Sequence, residues 1–281
     1  MPFKDKIAIV TGGASGIGRG LCELLGQKGA VVVVADADGA GAQVTAAKIT
    51  EAGGRASGVC LDVCRAEQVR QLIEGTAAEY GRLDFVFNNA GVGIWGEVRA
   101  MNLEHWRRAI DVNFWGVVYG STAAYSVMVS QGFGHIVNTA SLAGLVSVPG
   151  IIPYATAKHA VVGLSTSLRA EAADLGVRVS VVCPGPVRTH FHESLMLTEM
   201  NRNGPRLQSH AMDSIQAAGI ILRGVARNRN IIIFPFRARL TWIAYRLIPA
   251  LIHRIARKTI RKLRATGGSS AEGATRTTRF W

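Results

Sequence analysis

Short runs of consecutive apolar residues alternate along this chain with longer stretches in which apolar positions recur every three or four residues. Lys6 to Val10 is the first such run, and an amphipathic stretch follows it to Lys28. Ala30 to Asp36 (A-V-V-V-V-A-D) is the second, succeeded by a helical pattern over 39–52. Further strands are predicted over 56–61, from Leu83 to Phe87, from His135 to Thr139 and from Ile231 to Phe234, with another helix over 66–79. Runs apolar at every position describe strands covered on both faces, because a strand with one wet face alternates with period two. Strands and helices in alternation predict an α/β fold, a doubly wound parallel sheet with right-handed crossovers and helices on both faces. The ligand crevice of such a sheet opens at the carboxyl ends of its strands.

The 281 residues suffice for one large α/β domain or two small ones. A hydrophobic content of 48% with 32 glycines suits a sizeable core joined by tight turns. Cys22, Cys60, Cys64 and Cys183 form no C-x-x-C pair, so neither a zinc site nor a disulfide framework is expected, and a reducing compartment is the default. The first residues lead directly into a strand, so no secretory leader is expected, and no uncharged apolar run is long enough to span a bilayer. A cytoplasmic location is the expectation. The net charge of +13 is unevenly spread: residues 237–264 hold nine Lys/Arg and no acid, which leaves +4 for the rest. The basicity therefore belongs to a tail.

Three stretches carry chemistry. Thr11-Gly-Gly-Ala-Ser-Gly-Ile-Gly18 lies between the first strand and first helix, an arrangement that points helix N-terminal amides at a phosphate. Gly12, Gly16 and Gly18 allow the turn, the close approach of a pyrophosphate and helix–strand packing, in a G-x-x-x-G-x-G variant of the dinucleotide fingerprint. Asp36 ends the second strand, where a carboxylate accepts hydrogen bonds from ribose hydroxyls and repels a 2′-phosphate. No Lys or Arg directly follows it, which favours NAD over NADP; the alternative is that Asp36 caps the next helix. Asp62-Val63 stands where the chain leaves the third strand, near the expected adenine edge. Finally, Ser141 follows a buried strand, and Tyr154 and Lys158 sit four apart, on one helical face. A cation beside a phenol favours the phenolate, so Lys158 is expected to lower the pKa of Tyr154 and equip it to exchange protons with an alcohol oxygen.

Together, T-G-G-A-S-G-I-G, Asp36, N-N-A-G at 88–91, the Asn of D-V-N-F-W-G, Ser141, Y-A-T-A-K at 154–158 and P-G-P-V-R-T at 184–189 resemble the short-chain dehydrogenase/reductase family over roughly residues 5–235. No motif residue is missing. The resemblance implies a Rossmann-type fold and a catalytic tetrad of Asn113, Ser141, Tyr154 and Lys158. Tyr154 would be the general acid/base, and Ser141 would hold the substrate oxygen. Lys158 would bind the nicotinamide ribose, and Asn113 would fix a water that relays protons from Lys158. Gly12, Ser15, Gly16, Ile17, Gly18, Asp36, Asp62 and Val63 would hold the adenosine and pyrophosphate half of the cofactor. Asn89, Ala90 and Gly91 would pack against it. Pro184, Gly185, Val187 and Thr189 would meet its nicotinamide end. A lid over about 190–212 is implied above the substrate, and Trp95, Leu142, Phe191, Leu195 and Met196 are candidates for an apolar pocket or for packing the lid on the body. Homodimers or homotetramers are expected by resemblance only.

The leading expectation is NAD-dependent interconversion of a hydrophobic secondary alcohol and its ketone. The rivals are an NADP-dependent carbonyl or 3-oxoacyl reductase and, in another class, a cofactor-binding regulator without turnover. No metal is expected. The domain spans 1–236, followed by a basic amphipathic helical extension over 237–264, split by Pro249, and a Gly/Ser/Thr-rich segment over 265–281 expected to be disordered. Trp242, Tyr245 and a cationic face make the extension similar to an interfacial helix on an anionic membrane surface. The alternatives are packing on a neighbouring subunit or beside the substrate pocket. Nucleic acid has no recognition motif here to support it.

Overall fold

The structure is a computed structural model and describes residues 2–189, 196–197 and 211–267. In chain order the elements are β1 (Ile7–Thr11), α1 (Gly16–Gln27), β2 (Val31–Asp36), α2 (Gly39–Glu51), β3 (Arg55–Cys60), α3 (Ala66–Tyr80), β4 (Phe85–Asn88) and β5 (Ile94–Trp95). They continue with α4 (Leu103–Ile110), a π-helical turn (Asp111–Trp115), α5 (Gly116–Gln131), β6 (Gly134–Thr139), α6 (Ile152–Glu171), β7 (Val177–Pro184) and β8 (Met196–Leu197). α7 (Ser214–Ala226), β9 (Ile231–Phe234), α8 (Phe236–Leu247) and α9 (Pro249–Gly267) complete the described chain. The strands and helices predicted up to Phe234 match these elements to within one or two residues.

Seven strands form one parallel sheet in the order β3-β2-β1-β4-β6-β7-β9. Successive residues of β1 explain why Ile7 to Val10 are apolar without interruption. Ala8 and Val10 pack with Leu21 and Leu25 of α1 and Ile221 and Leu222 of α7, while Ile7 and Ile9 face the opposite layer, with Ile73 of α3 and Met128 of α5. Both faces are covered, so a polar residue enters only at Thr11, the ligand end of the strand. Construction outward from β1 in two directions creates a reversal between β1 and β4, where such sheets bind ligands.

A buried polar network crosses the middle of the sheet. Asn88 Nδ2 donates to Asn138 Oδ1 at 2.9 Å, and Asn138 Nδ2 donates to Ser165 Oγ at 3.0 Å, with Ser121 Oγ bonded to Asn138 Oδ1 at 3.2 Å. Each amide would cost on the order of 1–3 kcal/mol if left unpaired, so the network sets the register of β4 and β6 against α5 and α6.

Pro249 divides the C-terminal extension into two helices, standing at the first position of α9, where its missing N–H costs nothing. α9 continues to Gly267, three residues into the segment expected to be disordered; residues 268–281 lie outside the described residues. Of the expected lid, Met196–Leu197 pairs with Ile94–Trp95 as a two-stranded parallel sheet, and Met212 bridges to Val187. Trp242 and Tyr245 do not point outward as an interfacial pair would. Both are half-buried, and the Tyr245 hydroxyl is bonded to Ser147 Oγ at 3.0 Å.

His135 in β6 is 3% exposed, and its Nε2 lies 2.8 Å from Ser180 Oγ. Ser180 donates its proton to Arg229 O at 2.6 Å, so His135 Nε2 must be the donor to Ser180. Burial, with Arg178 and Arg169 nearby, pushes its pKa down to about 3 from an ordinary value of 6.5. Between those values the unfolded chain binds a proton that the folded chain does not, so stability falls as pH falls through this window. We expect this residue to remove about 2 kcal/mol of unfolding free energy between pH 7 and pH 5. Urea titrations at the two pH values should show that loss in wild type and a correspondingly flatter response in His135→Gln.

Candidate active site

A cavity of about 650 Å³ opens at the carboxyl ends of β1, β2, β4, β6 and β7. That volume falls within the range of small-molecule and cofactor sites. One end is the loop after β1, where Gly12 and Gly16 have φ of +68° and +53°, conformations that residues with a side chain seldom adopt. Ser15 precedes α1 without capping it through its side chain, and Ser15, Gly16 and Ile17 line the cavity, so the N-terminal turn of α1 faces the space. A Cβ on Gly18 would collide with the backbone carbonyl of Gly12, so Gly18 serves the packing of α1 on β1 and does not line the cavity. Asp36 Oδ2 accepts from Ala14 N and Oδ1 from Asp38 N, both at 3.0 Å, which fixes the carboxylate at the cavity rim. Asp38, not Asp36, caps α2. A helix N-terminus and glycine cradle to meet a pyrophosphate, with a fixed carboxylate to accept from ribose hydroxyls, are the groups that a dinucleotide requires.

Asp62, Val63, Asn89, Ala90 and Gly91 continue the wall, and Pro184, Gly185, Val187 and Thr189 close the far side. The wall is held by a relay of hydrogen bonds. Thr11 Oγ1 accepts from Asn89 N (3.0 Å) and Ala90 N (3.1 Å), Asn89 Nδ2 donates to Thr11 O (3.2 Å), and Thr139 Oγ1 donates to Asn89 Oδ1 (3.3 Å).

Ser141, at the end of β6, and Tyr154 and Lys158 of α6 meet at the inner end of the cavity. The Ser141 and Tyr154 side chains are hydrogen-bonded to each other, and Ser141 Oγ also accepts from Ala143 N at 3.1 Å. Lys158, 2% exposed, donates from Nζ to Thr139 O at 2.8 Å, with Nζ 5.6 Å from the centre of the Tyr154 ring. The pKa expectation fails in this environment. Enclosure pushes the Tyr154 phenol up to about 12, against which the Ser141 hydrogen bond is the opposing influence. Burial pushes Lys158 down to about 8. Desolvation is the first cause at both groups, since burial makes each costly to charge.

Asn113 lies within the π-helical turn and is fully buried. Its Nδ2 donates to Val92 O and Ala109 O, both at 2.9 Å, and its Oδ1 accepts from Val92 N at 3.2 Å. Both amide protons are thus spent on backbone, leaving one Oδ1 lone pair for the water that the resemblance implies. Among the expected pocket residues, Leu142 lines the cavity; Trp95 does not, its ring lying against Gly150. Met196 is described only as a backbone partner of Ile94, and Phe191 and Leu195 lie outside the described residues. Val92, Arg108, Val112, Val148 and Ile151 line the cavity without having been singled out. Arg108 and Asn113 are five apart, a spacing that shares a face only in a widened turn, so a 3.6-residue period could not pair them. Among the described residues, no three His, Cys, Asp or Glu side chains are grouped to hold a metal ion, and no helix is long and apolar enough to cross a membrane.

Residues 6–199 match the family model described as short chain dehydrogenase. The chain is 39% identical over 202 residues to a cyclohexanol dehydrogenase of Acinetobacter sp. (strain SE19), covering 69% of this chain and 80% of that protein. It is 43% identical over 197 residues to a 2,5-dichloro-2,5-cyclohexadiene-1,4-diol dehydrogenase of Sphingobium indicum, covering 69% and 77% respectively. A crystal structure of a short-chain dehydrogenase/reductase from Burkholderia phymatum in complex with NAD superposes with a TM-score of 0.80 at 29% identity, covering 89% of this chain and 96% of that one.

Replacing Asn113 by Ala leaves the Val92 amide and the Val92 and Ala109 carbonyls without their partner. A loss of about 1–3 kcal/mol for each buried group left unsatisfied is expected, read as a lower urea midpoint with an unchanged slope.

Proposed function

This chain belongs to the short-chain dehydrogenase/reductase family, and we propose on that premise that it interconverts a hydrophobic secondary alcohol and its ketone with NAD. The observation that carries the reading is the hydrogen-bonded Ser141–Tyr154 pair at the inner end of a cavity whose outer end has a glycine cradle and a fixed carboxylate. NAD, when bound, supplies the acceptor for the hydride that leaves the alcohol carbon. The residues that would hold it are Gly12, Ser15, Gly16 and Ile17 at the pyrophosphate and Asp36 at the adenosine ribose. Asp62, Val63, Asn89, Ala90 and Gly91 would wall the adenosine side, and Pro184, Gly185, Val187 and Thr189 the nicotinamide side. The negative charge of Asp36 repels a 2′-phosphate, which supports NAD over NADP and disfavours the NADP-dependent reductase rival.

In oxidation the Tyr154 oxygen takes the hydroxyl proton of the substrate while Ser141 donates to the same substrate oxygen and orients it. Lys158, held on Thr139 O, places a positive charge beside the phenol and steadies its deprotonated form. Asn113 positions the 89–92 wall through Val92 and offers its remaining lone pair to a relay water. The apolar side chains of Leu142, Val148, Ile151 and Val112 along the cavity favour a ring or chain hydrocarbon next to the carbinol. Relatives named for cyclohexanol and for a cyclohexadiene diol support a cyclic secondary alcohol as the first substrate to try.

A panel of cyclic, aliphatic and polyol alcohols assayed with NAD and with NADP tests the proposal. Cyclohexanol-like substrates with NAD should give the highest kcat/KM, and a preference for small polar polyols or for NADP would refute it. Tyr154→Phe should lower kcat by about 10²–10⁴ while NAD still quenches protein fluorescence with wild-type affinity. Since burial holds the phenol well above neutrality and Lys158 at about 8, alcohol oxidation should accelerate as pH is raised from 7 towards 8 and level off as Lys158 loses its proton above that, with no such gain in ketone reduction.

A further inference from the structure

We propose that the outer face of α8 and α9 docks this protein on an anionic lipid bilayer surface. On α8 the large apolar residues Phe236, Leu240, Ile243 and Leu247 fall at i, i+4, i+7 and i+11, a single stripe. All four are exposed, Phe236 by 71% and Leu247 by 76%, whereas the opposite side of the helix carries buried Ala238 and the Ser147-bonded Tyr245. The stripe runs on through Ile248 to Leu251 and Ile255 of α9, also exposed, while Ile252, Ala256 and Ile260 turn inward. An amphipathic helix packed on a domain buries its apolar stripe; here the inward side is satisfied and a second apolar stripe remains outside.

Its charge selects the occupant. Exposed Arg237, Arg239 and Arg246 flank the stripe on α8, and exposed Arg254, Arg257 and Lys258 flank it on α9, in a segment without one acidic residue. Two copies of this face would bring two such cationic arrays together, so self-association is opposed by like charge. A nucleic acid would meet the cations but leave the apolar stripe without a partner. An anionic bilayer satisfies both, taking the apolar side chains to the level of the acyl chains and the cations among the headgroups. With no helix among the described residues long and apolar enough to cross a membrane, the contact is one of lying on the surface.

The face is held on the catalytic domain and does not trail from it. Arg264 in the last turns of α9 makes a bidentate pair with Glu97, with Nη2–Oε2 at 2.7 Å, and the carboxyl of Glu97 is held below its ordinary value chiefly by that hydrogen bond. Tyr245 ties α8 to Ser147, in the loop that carries cavity-lining Val148 and Ile151.

Co-sedimentation of the full-length protein with vesicles tests the assignment. It should pellet with vesicles of equal parts phosphatidylglycerol and phosphatidylcholine, and bind at least tenfold more weakly to pure phosphatidylcholine. Raising the salt to about 1 M, where charges are screened within about 3 Å, should release it. Each basic residue near an anionic surface is worth roughly fivefold in partitioning, so Arg254→Glu with Arg257→Glu should weaken binding at least about 25-fold. Leu240→Asp with Leu247→Asp should also abolish pelleting, and both double variants should keep the wild-type melting temperature and alcohol oxidation rate. Failure of the wild type to pellet with the mixed vesicles, or equal pelleting with pure phosphatidylcholine, would overturn the proposal. So would a wild-type dimer in sedimentation equilibrium that Leu240→Asp with Leu247→Asp dissolves, since the face would then belong to a second copy.

Discussion

A single buried ammonium organises the site. Lys158 sits in the interior with its Nζ on the carbonyl of Thr139, and a charge so placed is tolerable only while that oxygen is in reach. The bond ties the catalytic helix α6 to the carboxyl end of β6. From there Thr139 reaches Asn89, and Asn89 reaches Thr11 at the end of β1, so the glycine loop and the tyrosine helix are joined through side chains that span three adjacent strands. The distance between the cradle for a nucleotide and the phenol that would meet a substrate is therefore set by short polar contacts more than by apolar packing.

The same burial that fixes the lysine works against easy ionisation of the tyrosine. A phenol pushed up and an ammonium pushed down describe a pair in which burial makes charge costly on either member. Such a pair is poised: any additional positive charge brought alongside it favours the phenolate, and any additional negative charge favours the phenol. Direction of proton transfer then follows what shares the cavity, with little movement asked of the protein.

The sheet was legible because its strands are covered on both faces, which turns each into an unbroken apolar run, and because glycines and acids mark the strand ends where ligands are met. The Tyr154–Lys158 spacing was legible for the same geometric reason, one helical turn. What escaped had no short-range signature. Val148 and Ile151 line the cavity only because the loop after β6 folds over it. The β5–β8 pairing joins segments about a hundred residues apart. The direction of the tyrosine's pKa shift depends on how deeply the pair is enclosed, and enclosure is a property of the assembled fold. In the C-terminal extension the helical period and the break at Pro249 could be read off, but which aromatic residues turn inward could not.

The widened turn at Asp111–Trp115 changes the phase of a helix. Before it, α4 presents Ala109 to the core; after it, α5 presents Gly116 to Val63 and Gly120 to the amide of Asn88. One surplus residue lets both rows of contacts coexist along a nearly continuous rod while Asn113 is aimed sideways at Val92. Removing one residue from this stretch would let the rod relax to ordinary winding, about 100° per residue, with the contacts of α4 and α5 still in phase, and only the sideways aim of Asn113 would be lost. The surplus residue is consequently spent on aiming one amide, not on the packing of the rod.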